Sequence, residues 1–180
     1  MMKFRPAVPE DMEAILELYD GVIDRFHVST GNRGWVKGVY PTRADFQKAI
    51  QAGTLYLGEL ECRLAAGMTV TQGTDKSYGD APWRVEAADE ETAVIHTLGV
   101  SPDFAGQGVG LQMTQYAAQL AREKGWKALR LDVLEGNDAA LHLYERAGFQ
   151  YIATKEIFYE VTGLANFLLY EYAVLPAASL

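Results

Sequence analysis

A chain of 180 residues, 49% hydrophobic and 22% charged, has the balance of an ordinary globular protein, and one domain over residues 1–180 accommodates it without staples. The formal net charge of −8 makes nucleic acid and anionic lipid poor partners and mildly favours cationic ones. A single cysteine, Cys62, excludes an internal disulfide and a Cys-rich metal site, so no metal is expected; with no apolar signal core in residues 1–10 and no membrane-spanning run, the expected setting is cytoplasmic and away from any membrane.

Residues 4–6 read as a short strand. Residues 11–26 read as a helix, because Met12, Ile15, Tyr19, Val22, Ile23 and Phe26 recur at helical spacing. Residues 27–41 then read as a loop in which Gly31, Gly34 and Gly38 surround Trp35. Thr42 and Asp45 have the form of a capping box, opening a short helix that carries Phe46 and Ile50 and stops near Gly53. Residues 54–60 and 64–71 read as two strands of a hairpin. Residues 72–91 are polar, with glycine and several acids, and predict a mobile loop. A strand over 92–100 ends before Pro102. A helix over 108–124 follows, with Val109, Met113, Tyr116, Ala117, Leu120 and Ala121 on one face and Gly125 as its stop. Residues 128–134 form a strand, Asn137 caps a helix ending at Gly148, and 149–160 and 166–174 are the last two strands. The order β-α-α-β-β-β-α-β-α-β-β predicts a mixed α/β domain, with a parallel crossover between 92 and 134 and an antiparallel hairpin at the end.

Two segments carry chemistry. Residues 102–110, Pro-Asp-Phe-Ala-Gly-Gln-Gly-Val-Gly, lie between a strand and a helix. Gly106, Gly108 and Gly110 allow a sharp turn and leave no side chain in the way, so several N–H groups gather beside a helix N-terminus. That is an anion site, and a pyrophosphate fits it. A nucleotide P-loop needs Gly-Lys-Ser/Thr at the helix start, where this chain has Gly110, Leu111 and Gln112. A G-x-G-x-x-G fingerprint counted from Gly106 fails at Leu111. The second segment, 137–149, places Asn137 and Tyr144 on one helix face, about 10 Å apart along the axis. Each residue also has a plain structural reading: Asn137 as an N-cap, Tyr144 as a core aromatic, Gly148 as a C-cap.

Together the two segments resemble the GNAT superfamily of acetyl-CoA-dependent N-acetyltransferases. Val100, Pro102, Gly108 and Gly110 match the family's Val-x-Pro lead-in and its Q/R-x-x-G-x-G/A turn. Ala105 stands where the family has Arg or Gln, which removes a side-chain contribution to the pyrophosphate but leaves the backbone cradle. Residues 137–149 match N-x-x-A-x-x-x-Y-x-x-x-G-F through Asn137, Ala140, Tyr144, Gly148 and Phe149. The resemblance covers about 92–149, and it implies a mixed sheet of six to seven strands flanked by about four helices, with the fourth and fifth strands splayed. It implies acetyl-CoA as co-substrate, held by Leu98, Gly99, Val100, by Ala105, Gly106, Gln107, Gly108, Val109 and Gly110, and by Asn137, Ala140 and Tyr144. It implies Tyr144 as the acid that protonates the departing thiolate. His96, on the fourth strand, is the candidate base, with Glu90, Glu91 and a water chain as alternatives. The acceptor is an amine, small or on a peptide, and a homodimer stays open. A sensor that binds acyl-CoA without turning it over is the alternative function. Trp35, Tyr40, Phe158, Tyr159 and Phe167 could wall the acceptor site or simply pack the core. A Cys62 acetyl-enzyme is disfavoured, since no His or Asp is placed beside it by sequence. Asp132 reads as structural, and His142 as an exposed residue of its helix.

Overall fold

The computed structural model describes residues 1–30 and 34–174. Seven strands form one sheet: β1 (Lys3–Pro6), β2 (Leu55–Leu60), β3 (Arg63–Gln72), β4 (Thr92–Val100), β5 (Ala128–Leu134), β6 (Gln150–Tyr159) and β7 (Gly163–Ala173). Four helices join them: α1 (Met12–Thr30), α2 (Arg43–Gln51), α3 (Val109–Lys124) and α4 (Asp138–Arg146). The spatial order is β1-β2-β3-β4-β5-β7-β6, and only β4 and β5 run parallel. The element order is the one expected from the sequence.

Two expectations need correction. Helix α1 runs to Thr30 and not to Phe26, so His27 is helical and not in a loop. Residues 27–30 contain no helix breaker, and the first stop signal is Gly31, which lies with 32 and 33 outside the described residues. Residues 73–91 are not a free loop. They pack on the sheet through a short 3-10 turn at Lys76–Tyr78, with Tyr78 and Ala81 buried against Val94, Ile157, Phe167 and Leu169. The isolated aromatics Tyr78 and Trp83 in a polar stretch are the signal that marks it.

The local chemistry explains the rest. Thr42 and Asp45 form the capping box: the Asp45 N–H donates to Thr42 Oγ1 at 3.3 Å and the Thr42 N–H to Asp45 Oδ2 at 2.7 Å. Helices α3 and α4 cover one face of the sheet, where Met113, Leu129, Leu131 and Val133 belong to the main core. Helices α1 and α2 bury Ile15, Leu18 and Phe46 against Leu55 and Leu57.

The feature that makes a site is the junction of β4 and β5. Their ladder covers only Thr92–Val94 paired with Ala128–Arg130, and the strands part beyond it. On its other side β4 pairs with β3, but the register slips between Thr69↔His96 and Gly67↔Gly99, so β4 carries one extra residue. Thr97 sits there at φ +50°. The Tyr19 hydroxyl donates to Thr97 O at 2.6 Å and pins the bulge from α1. The Tyr19 side chain lies on the paired Gly67 and Gly99, where a Cβ would come 3.0 Å from the hydroxyl at Gly67 and 3.0 Å from the ring at Gly99. Glycine at both positions lets α1 approach the strands this closely.

Candidate active site

The opening between β4 and β5 leads into a cavity of about 640 Å³. From β4 come His96, Leu98, Gly99 and Val100, and from α4 its cap Asn137 with Ala140 and Tyr144. These seven sequence-predicted residues are thereby brought to one space. The glycine turn 105–110 is beside it and does not line it, although a Cβ on Gly110 would lie 3.6 Å from Val100 and 3.0 Å from Leu143.

The turn has the cradle geometry. Gly106 and Gly108 hold φ near +77° and +75°, which any other residue would strain to adopt. The N–H groups of Gly106, Gly108, Val109 and Gly110 have no acceptor among the described residues. They flank the N-terminus of α3, a region of positive partial charge. Val109 buries its side chain in the core, and Gln107 turns its amide back to Asp103 O at 3.2 Å, so both present only backbone. Gly110 serves helix packing against Leu143 as well as the turn. Ala105 adds no polar group.

Tyr144 is 8% exposed, and its hydroxyl has no hydrogen-bond partner among the described residues. Burial, reinforced by Asp132, raises its pKa well above the ordinary phenol value. The phenol therefore stays protonated at neutral pH and is available as a donor. Asn137 caps α4, its Oδ1 accepting the Ala140 N–H at 3.3 Å, while the residue also lines the cavity. The structural and cavity-facing readings of Asn137 hold together.

His96 lies in the cavity wall, half-buried. Burial pushes its pKa below the ordinary histidine value, with Asp132 and Asp75 pulling the other way. The neutral imidazole is favoured, the form a base requires. Asp132 makes the structural hydrogen bond its sequence reading implies. Its Oδ1 accepts the Tyr78 hydroxyl at 2.5 Å, yet the residue lines the cavity and faces His96 electrostatically. Burial pushes its carboxyl above the usual carboxylate range, against the pull of Tyr78 and His96.

Glu90 and Glu91 are not in the site. They lie before the far end of β4, where Glu91 Oε1 pairs with Lys127 Nζ at 2.6 Å. Trp35, Tyr40, Tyr159 and Phe167 do line the cavity, whereas Phe158 is 68% exposed on the outside of its hairpin. Sequence reasoning missed Asp75, which also lines the cavity and anchors its own turn by accepting the Ser77 N–H at 2.8 Å. The Asp-x-Ser spacing is the signal that could have found it. Cys62 is exposed in the β2–β3 turn, and His142 is exposed on α4. No helix among the described residues is long and apolar enough to cross a membrane.

Comparison with known proteins agrees with this geometry. The family model described as the acetyltransferase (GNAT) family matches residues 22–149. An uncharacterised N-acetyltransferase of Methanocaldococcus jannaschii is 34% identical over 150 residues, covering 81% of this chain and 59% of that protein. This chain spans 29%, 42% and 59% of the lengths of the first three curated relatives it matches. A GNAT-family acetyltransferase from Streptococcus agalactiae superposes with a TM-score of 0.79 at 22% identity, covering 96% of this chain and 95% of that one. An acetyltransferase from Salmonella typhimurium, solved with acetyl-CoA, superposes with a TM-score of 0.69 at 17% identity over 99% and 96% of the two chains. On the cradle, the splayed strands, the matched residues and these likenesses, the chain belongs to the GNAT acetyltransferase family.

Proposed function

We propose that the protein transfers the acetyl group of acetyl-CoA to a primary amine by direct attack in a ternary complex. The observation that carries this reading is the cavity in the β4–β5 opening, which gathers a neutral histidine, a protonated and unpartnered phenol and exposed strand backbone. In this reading the pyrophosphate rests on the turn 105–110, on the free N–H groups of Gly106, Gly108, Val109 and Gly110. The pantetheine arm runs along Leu98, Gly99 and Val100 and past Asn137 and Ala140.

The chemistry follows. The acceptor enters as an ammonium with a pKa of roughly 10 and must lose a proton before its lone pair can react. His96 accepts that proton. The nitrogen attacks the thioester carbonyl carbon, and a C–N bond forms as the carbonyl electrons move onto oxygen. A β4 backbone N–H near Leu98–Val100 stabilises this oxyanion. The C–S bond then breaks, and Tyr144 donates its phenolic proton to the thiolate. The second proton of the attacking nitrogen leaves to water. The products are the N-acetylated amine and free CoA; solvent reprotonates Tyr144 and takes the proton from His96.

Release of free thiol from acetyl-CoA across an amine panel tests the reading. Amine-dependent release is expected, and Tyr144→Phe should lower turnover by about 10²-fold. Full turnover by that variant removes Tyr144 from the mechanism. Ala105 favours the alternative of a silent acyl-CoA sensor, because it gives up a side-chain contact to the phosphates. Tight acetyl-CoA binding with no release for any amine or peptide is the outcome that alternative requires.

A further inference from the structure

The described lining of the cavity is electrostatically one-sided. Among the described residues lining it are four carboxylates, Asp45, Asp75, Asp132 and Glu160, and no lysine or arginine. Several of these oxygens are free. Asp75 spends one oxygen on the Ser77 N–H, and Asp132 spends one on the Tyr78 hydroxyl. Asp45 uses Oδ2 for its helix cap. Glu160 has no hydrogen-bond partner among the described residues and is exposed, as Asp45 is. Three of them share one field: Tyr40 feels Asp45, Asp75 and Asp132 together, and Tyr159 feels Asp75, Asp132 and Tyr40; Glu160 adjoins Tyr159 in the chain and lines the same cavity. The aromatic side chains Trp35, Tyr40 and Tyr159 stand among the carboxylates. Aromatic faces accept both an alkyl chain and an ammonium group.

An acidic lining alone would say little in a chain of net charge −8. Here it coincides with a built pocket and, in the same wall, with Tyr144, a residue 8% exposed whose hydroxyl has no hydrogen-bond partner among the described residues. The proton of the reacting nitrogen passes to His96 in the same wall, so the four carboxylates face one positive charge there, and a second cation on the same acceptor complements the rest. An α-amino acid would bring its own carboxylate into this wall and be repelled.

Resting on the acetyl-transfer reading, we infer that the acceptor is a small linear polycation, a diamine or polyamine. One terminal nitrogen lies between His96 and Tyr144, and Asp75 and Glu160 hold its second ammonium group.

Steady-state thiol release with putrescine, spermine, n-butylamine, free glycine and a short peptide with an unblocked N-terminus tests this. Putrescine or spermine should exceed n-butylamine in kcat/KM by about 10²-fold, since n-butylamine keeps the chain and loses the second charge. Asp75→Asn keeps an acceptor for the Ser77 N–H, and Glu160→Gln is an exposed change, so neither threatens the fold. Each should raise the KM for the polyamine about tenfold while the KM for acetyl-CoA holds, narrowing the gap to n-butylamine. Equal or better turnover of n-butylamine, glycine or the peptide overturns the inference and leaves acetyl transfer standing. A polyamine KM unmoved by both substitutions does the same. No thiol release with any amine, in protein that acetyl-CoA still stabilises, overturns the transfer reading and this inference with it.

Discussion

His96 sits two residues beyond the last β4–β5 pair, at the point where its strand loses a neighbour. Burial there discharges the imidazole, and Asp132 and Asp75 oppose that shift without reversing it. The acid limb of kcat should therefore fall below pH 6.5, the ordinary histidine value, because the base is lost only when its depressed pKa is crossed. Asp132 titrates with it, so the limb belongs to the pair and not to one residue. In His96→Ala the limb should disappear and kcat should drop by about 10²-fold; an unchanged profile would remove His96 from proton transfer. The same shift has a sign for stability. A histidine held neutral in the fold favours the native state above its unfolded pKa, and that contribution is lost as pH falls from about 6.5 through the depressed value. His96 is legible in the sequence through its place two residues before Leu98. Asp132 and Asp75 are not, because strand parity and a turn of the 73–91 segment decide whether they face the cavity.

The 73–91 segment is held by a buried ion pair. Arg130 Nε on β5 lies 3.1 Å from Glu171 Oε2 on β7, with side chains 5% and 2% exposed. Glu171 Oε1 also accepts the N–H groups of Arg84 at 2.8 Å and Val85 at 3.0 Å. Arg130 reaches Thr74 Oγ1 at 2.7 Å and Val85 O at 3.2 Å, and its guanidinium stacks 4.4 Å from the Trp83 ring. A segment with few apolar residues thus gains its order from two charges on neighbouring strands. It carries Asp75 into the cavity wall and Tyr78 onto Asp132. Glu171→Ala leaves Arg130 uncompensated and two N–H groups without acceptors, so urea unfolding should show a loss of about 3–5 kcal/mol. Amide exchange should accelerate first in 73–91; a loss under 1 kcal/mol would mean that the pair does not hold the segment. This tether is why the sequence misleads here. Its residues read as solvated one at a time, and their order depends on partners more than 40 positions away. The helices and strands on either side repeat their own periodicity and are legible almost to their ends.

At the scale of the whole sheet, β1–β4 and β5–β7 are joined by a parallel ladder only three pairs long. Helix α3 covers this junction, and the core around Met113 and Leu131 holds the two halves together from one side. The open side is the cavity. A ligand with phosphates at the α3 N-terminus and an extended arm between β4 and α4 would touch both halves. Binding should thus act as a cross-link, visible in global stability. At a hundredfold excess over Kd, acetyl-CoA should add about 2.7 kcal/mol, which for a chain of this size raises Tm by about 5–10 °C. ATP offers phosphates to the same cradle, but it lacks the arm and finds no lysine after Gly110. It should raise Tm far less at equal concentration. ATP matching acetyl-CoA would show that the cradle alone captures the ligand, and the assignment of the β4–α4 channel to the pantetheine arm would fall.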